Sequence, residues 1–392
     1  MYKSFSILRF RGLSKCEING MQRVTLLTGK NNAGKTTALE AMFVHTGHNN
    51  PSLLLVLNAL RGVSKVKVDM YNGTDTPWLS AFNSYDDSQP IRLAGEVRVD
   101  DKQYVLRSMQ LSTVKSVAEM DGLGWHMRSV PYSAEGLTSK ILKLETSDAK
   151  RSASTAEPIK WSGPSSKASP PKAKIKKPKS NIHYLYYENN QQIIYPQLPM
   201  VDSLSRFMSP YHRENAEEYA TQFARLQYGG HVPFLVEALK EIEPRLRSLE
   251  LVFNGEPMLH GDIGLPGRTL LPLAMMGDGV SRITGLVMAI ASAKGGGVVL
   301  VDDVDTGLHH SVMKSFWATV MKACKMFDVQ VVATTHSDDC VRGALRSVQQ
   351  TSDEKDLSLI RMERNLKDNE VNSFTYDATD IDLALASGLE VR

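Results

Sequence analysis

The sequence predicts an α/β protein built on a mostly parallel sheet, and three observations carry that prediction. An apolar run, QRVTLLTG, ends in a glycine loop and passes at once into helical pattern. Two short strands apolar on both faces, VVLVDD and VQVVATTH, lie in the last third of the chain. They alternate there with the helical stretches VSRITGLVMAIASAKGGG, SVMKSFWATVMKACKMF and DDCVRGALRSV. A strand apolar on both faces must be covered on both sides, which is the environment of a parallel sheet.

The elements follow in order. MYKSFSILRF alternates apolar and polar residues with period two, GLSKCEI forms a second strand, and QRVTLLTG leads to a helix from Thr36 to about Val44. From Pro90 to Leu111 two alternating runs meet at Asp100 and Asp101, the pattern of a β-hairpin. IHYLYY reads as a strand, and ENAEEYATQFARLQYG and VPFLVEALKEIEPRL space apolar residues three and four apart, as helices do. Four regions result: an N-terminal β-rich lobe with the glycine loop (1–147), a Lys/Pro/Ser-rich insertion (148–181), a helical insertion (182–265) and a C-terminal lobe (266–392).

Composition narrows the function. The chain has 392 residues, 46 Lys+Arg against 43 Asp+Glu, and 42% hydrophobic residues, enough to bury a substantial core. Its longest apolar run, Ile283 to Ala293, is short of the ~20 residues of a membrane helix. The N-terminus carries Arg9 and Arg11 where a signal peptide needs an unbroken apolar stretch, so a cytoplasmic protein without membrane contact is expected. Cys16, Cys324 and Cys340 form no CxxC pair, which points to reduced structural thiols. Between Asp148 and Asn181 nine Lys/Arg face two acids, without apolar period. Such a segment reads as a flexible loop, or alternatively as a lysine-rich grip on nucleic acid.

The chemistry concentrates in four places. Gly29-Lys30-Asn31-Asn32-Ala33-Gly34-Lys35-Thr36, followed by Thr37, fits G-x-x-x-x-G-K-[ST] at every constrained position. In that motif backbone amides cradle phosphate oxygens, Lys35 reaches the β and γ phosphates of ATP, and the Thr36 hydroxyl ligates Mg²⁺. VVLVDD delivers Asp302 to the magnesium from the far side and Asp303 to the attacking water; read alone, it is also an ordinary strand ending in a turn. Gly277-Asp278-Gly279 opens a helix and offers bare amides to a γ-phosphate, or Asp278 simply caps that helix. His336 ends the last apolar strand with a polar tip that can reach the γ-phosphate; His336-Ser337-Asp338 is no triad, because adjacent residues cannot converge that way.

In this order, with the turn Gly307-Leu308-His309 between the carboxylates and His336, the motifs resemble an ABC-type ATPase head. Within that class the sequence resembles the RecF, SMC and overcoming-lysogenisation-defect (OLD-like) group, and the stand-alone AAA-15/AAA-21 ATPases of prokaryotic defence loci of PARIS, Septu and retron type. The resemblance covers residues 1 to about 45 and about 205 to 345. It implies a P-loop ATPase head that dimerises on ATP, with Gly277, Asp278 and Gly279 acting on nucleotide held by a second copy. It also implies that Thr306 and Gly307 lie at the dimer seam and that His336 senses the γ-phosphate. The family usually has Asp-Glu where this chain has Asp302-Asp303; the catalytic group is one methylene shorter, and slow hydrolysis is expected. Relatives often continue into a nuclease domain, for which the 56 residues after His336 are too few.

Three functional classes compete. The first is a switch controlling a separate effector, a nuclease or toxin, in anti-phage defence. The second is a RecF- or SMC-like ATPase whose partner is DNA, and the absence of sustained heptads counts against it. A transporter ATPase is a third, disfavoured by the 267 residues between Lys35 and Asp302. Gln191, Gln192 and Gln197 are equal candidates for the family's Q-loop glutamine.

Overall fold

A computed structural model describes residues 1–62, 77–98, 103–114, 141–151, 180–188, 191–196, 205–210, 216–267 and 270–387. Three strands open the chain, β1 (Tyr2–Phe10), β2 (Leu13–Asn19) and β3 (Val24–Thr28), followed by α1 (Lys35–Thr46) and α2 (Leu53–Leu60). An antiparallel series continues with β4 (Ile91–Arg98), β5 (Tyr104–Val114), β6 (Ile141–Arg151), β7 (Ser180–Glu188) and β8 (Gln191–Tyr195). Next come β9 (Ser205–Met208), α3 (Ala216–Tyr228), α4 (Val232–Lys240), β10 (Ser248–Asn254), β11 (Glu256–Asp262) and β12 (Leu271–Pro272). The last third holds α5 (Asp278–Ser292), β13 (Val298–Val301), α6 (Met313–Phe327), β14 (Gln330–Thr334), α7 (Asp338–Thr351), β15 (Leu357–Arg364), β16 (Glu370–Tyr376) and α8 (Ala378–Ala386).

Thirteen strands form one sheet in the order β8-β7-β6-β5-β4-β1-β2-β16-β15-β3-β14-β13-β9; β10, β11 and β12 form a separate small sheet. The expected parallel sheet is therefore one part of a larger mixed one. The run β15-β3-β14-β13-β9 is parallel throughout, whereas the run from β8 to β2 is antiparallel throughout. The β1–β2 connection is too short for the crossover that a parallel pair needs, so β2 turns back antiparallel on β1.

The parallel strands explain their own sequences. In β13 all four residues are buried: Val299 and Val301 pack into a core shared with α5, α6 and α7, while Val298 and Leu300 pack into a second core with α1 and the N-terminal strands. Two apolar faces need two cores, and each half of the chain supplies one. All three cysteines are buried free thiols.

The four-region division does not follow this sheet. Asp148, expected to open the Lys/Pro/Ser-rich insertion, lies within β6, and Asn181 lies in β7, which pairs with β6. Residues 152–179, the bulk of the insertion, lie outside the described residues, as does the hairpin turn around Asp100 and Asp101. Among its described residues, the 182–265 region is helical only in α3 and α4, with strands on either side.

Candidate active site

The loop after β3 is shaped by glycines that nothing else could replace. Gly29 has φ 131°, and a Cβ there would come within 2.2 Å of the Met362 carbonyl oxygen on β15. Gly34 has φ 96°, and its missing Cβ leaves room for Leu13. Lys35 turns back over the loop: its Nζ donates to the Gly29 carbonyl at 2.7 Å and the Lys30 carbonyl at 3.1 Å. Burial lowers the Lys35 pKa, while the nearby Asp303 and Asp302 carboxylates hold it up.

The carboxylates arrive from β13. The Thr36 hydroxyl donates to Asp302 Oδ1 at 2.9 Å and lies 3.1 Å from Oδ2. Thr334 at the end of β14 donates to Asp302 Oδ1 at 2.7 Å and accepts from the Asp303 amide at 2.8 Å. Asp302 is thus fixed in the cleft wall by two hydroxyls. Asp303 takes φ 45°, a left-handed conformation that Asp and Asn adopt far more readily than other side-chain-bearing residues. The turn itself thus favours Asp over Glu at this position. Burial, then the Asp302 charge, raise the Asp303 pKa above the ordinary carboxylate value, and His336 opposes them. Arg282, on α5, donates to the carbonyl oxygens of both Asp302 and Asp303 at 3.0 Å and ties this turn to the helix that begins at Asp278.

These groups border one cleft of about 810 Å³. Asn31, Asn32, Gly34, Lys35, Thr36, Thr37, Asp302, Asp303 and His336 line it, whereas Gly29, Lys30 and Ala33 belong to the loop without lining the cleft. Gly277, Asp278 and Gly279 do not line it. Gly277 is the N-cap of α5, with φ 100° and no side-chain cap, so Asp278 is the first helical residue rather than the cap. Gly277 and Asp278 are exposed, and Asp278 packs against Gly307, whose missing Cβ would sit 3.0 Å from that of Asp278. Gln191 and Gln192 belong to edge strand β8, at the opposite end of the sheet order from the strands that bear the cleft; Gln197 lies outside the described residues.

Sequence reasoning missed four polar members. Glu40 on α1, 2% exposed, accepts from Arg61 Nε at 2.6 Å and pairs with Arg11 at 3.1 Å. A lone carboxylate inside the apolar run Ala38–Val44 was the available signal. Glu40 and Arg61 line the cleft, as does Ser209 just past β9. Arg364, the last residue of β15, donates to Gly12 O at 2.6 Å and Asn32 O at 3.3 Å. Nothing local in the sequence marks Arg364.

A glycine phosphate loop, a buried carboxylate bonded to its threonine, and a second carboxylate directly after it in the same turn define a P-loop nucleoside-triphosphatase site. The profile of the family described as "AAA ATPase domain" matches residues 1–227, and the chain belongs to that family. It binds ATP and is an ATPase. A second profile, described as "AAA domain, putative AbiEii toxin, Type IV TA system", matches residues 142–340. Together they take in the stretch from 46 to 204 that the sequence motifs left uncovered. An "ATP/GTP phosphatase" of Helicobacter pylori (strain ATCC 700392 / 26695) is 22% identical over 368 residues, 87% of this chain and 86% of the relative. Among solved structures, an Smc head bound to the C-winged helix domain of ScpA is 10% identical with a TM-score of 0.45 and covers 96% of this chain and 98% of its own. The SMC head domain of Thermotoga maritima gives the same identity and coverage with a TM-score of 0.39. Among the described residues no helix is long and apolar enough to cross a membrane.

Proposed function

We propose that this ATPase is a switch: two copies close on ATP through composite sites, and the closed state controls a separate effector, a nuclease or toxin, in anti-phage defence. One observation carries the reading. Gly277 and Asp278 stand exposed at the N-terminus of a fifteen-residue helix, outside the cleft of their own chain. A helix N-terminus is an anion site, and a phosphate held on a second copy is the anion such a position can reach. The family profile whose description includes a toxin of a toxin–antitoxin system supports the defence setting.

Mg²⁺ fits the residues present. Thr36 Oγ1 and both Asp302 carboxylate oxygens converge within 3.1 Å, a hard-oxygen set that leaves the remaining positions to phosphate and water, as Mg²⁺ prefers. Bound there, the ion would neutralise phosphate charge. Asp303 is placed to take the proton of the attacking water, and its raised pKa suits that role.

The test is complementation. Lys35→Ala destroys one copy's phosphate loop and Asp278→Arg the other's signature turn, so each variant alone should be inactive. A mixed population should recover roughly a quarter of wild-type turnover, since half the dimers carry one intact site. A mixture no more active than its parts, together with self-association that ATP does not change in sedimentation, would overturn the composite reading.

A further inference from the structure

The cleft of about 810 Å³ is lined from both sides of β3, and the two sides differ in chemistry. On one side of β3 lie β14 and β13, which supply His336, Asp302 and Asp303. On the other lies β15, parallel to β3 and pressed so closely on the phosphate loop that Gly29 cannot carry a Cβ beside Met362. Two residues further along β15 comes Arg364. Hydrolysis occurs at the γ-phosphate, so the terminal phosphate belongs with the carboxylates on the β13–β14 side. The nucleoside then leaves the loop in the opposite direction, toward β15.

We infer that Arg364 contacts the nucleoside of the bound triphosphate, its guanidinium stacking on the face of the base. The group is prepared for this. It bridges two backbone carbonyls that border the cleft, Gly12 O in the β1–β2 turn and Asn32 O in the phosphate loop, so its plane is set before ligand arrives. Both bonds use terminal nitrogens, and the side chain remains part of the cleft wall. A planar guanidinium stacks on π faces, whereas the compact ammonium of lysine cannot reproduce both the bridge and the stack. Stacking engages the face of a base rather than its edge, so adenine and guanine are held about equally through this contact.

The inference rests on the nucleotide-site reading, and the experiment separates the two. Equilibrium binding of ATP, GTP and inorganic tripolyphosphate is measured on wild type, Arg364→Ala, Arg364→Lys and Lys35→Ala. Arg364→Ala should weaken ATP and GTP by about tenfold each and leave tripolyphosphate unchanged, with Arg364→Lys recovering little. Equal weakening of ATP and tripolyphosphate would overturn the proposal, because Arg364 would then only brace the phosphate loop. So would unchanged ATP affinity, or full recovery by lysine. Failure of the site reading has a different signature: tripolyphosphate binding that Lys35→Ala does not affect.

Discussion

The two halves of the large sheet use the same hydrogen bonds and differ in what their ends can build. In β15-β3-β14-β13-β9 every strand points the same way, so the segments at the ends of all five strands open on one edge. There they bring Arg364, the phosphate loop, His336, Asp302 with Asp303, and Ser209 to one cleft. From β8 to β2 direction alternates, successive turns fall at opposite edges, and among the described residues of these strands and turns only Gly12 and Leu13, at the β1–β2 turn, reach the cleft. Parallel direction concentrates function at one edge, and the antiparallel half contributes scaffold.

The largest effect that would sharpen this contrast is at Lys35. Lys35→Ala should abolish ATP-dependent turnover while the far-ultraviolet circular dichroism stays that of wild type. Retained turnover would remove the functional meaning of the parallel edge. Next is Asp303→Asn, expected to lower turnover by about 10²- to 10⁴-fold with ATP binding kept, as loss of a general base does. The pH profile carries the sign. Below its pKa the Asp303 carboxyl is protonated and cannot accept a proton, and that pKa is raised, so activity should fall on the acid side above the ordinary carboxylate value. Because His336 opposes the rise, His336→Gln should move the acid limb to still higher pH, and a limb that stays in place would discount Asp303 as the base.

A smaller effect compares the halves by stability. Glu40 is buried between Arg11 and Arg61, and Glu40→Ala leaves both guanidinium groups without it, for a cost of about 3 kcal/mol in denaturant unfolding. In the antiparallel half, Arg107 pairs with Asp148 at 2.9 Å, but Asp148 is 43% exposed. Arg107→Ala should therefore cost ~1 kcal/mol or less. Equal costs would mean that the site-bearing half is no more tightly determined than its scaffold.

Much of this was legible in the chain. The loop from Gly29 to Thr37 is contiguous, so its chemistry and its place between strand and helix are local facts. The same holds for VVLVDD, whose four buried residues announce two covered faces. The antiparallel series beyond the expected hairpin was less legible. The pairing of β6 with β7 spans the lysine-rich segment, and composition there masks the strands at its ends. The Asp at 303 was readable as a departure, but its reason was not, because a positive φ is a property of the folded turn.

The sequence by itself determined the phosphate loop, the carboxylate strand and, between them, helices α1, α3, α4 and α5, since spacing and periodicity act over a few residues. Only the tertiary structure decided what else enters the cleft. Arg364 reaches Gly12 across 352 positions, Glu40 reaches Arg11 across 29, and the Thr36 hydroxyl meets Asp302 across 266. Such meetings depend on strand order and on which edge each loop leaves, and those are fixed by burying two apolar faces at once, a condition that no single segment contains.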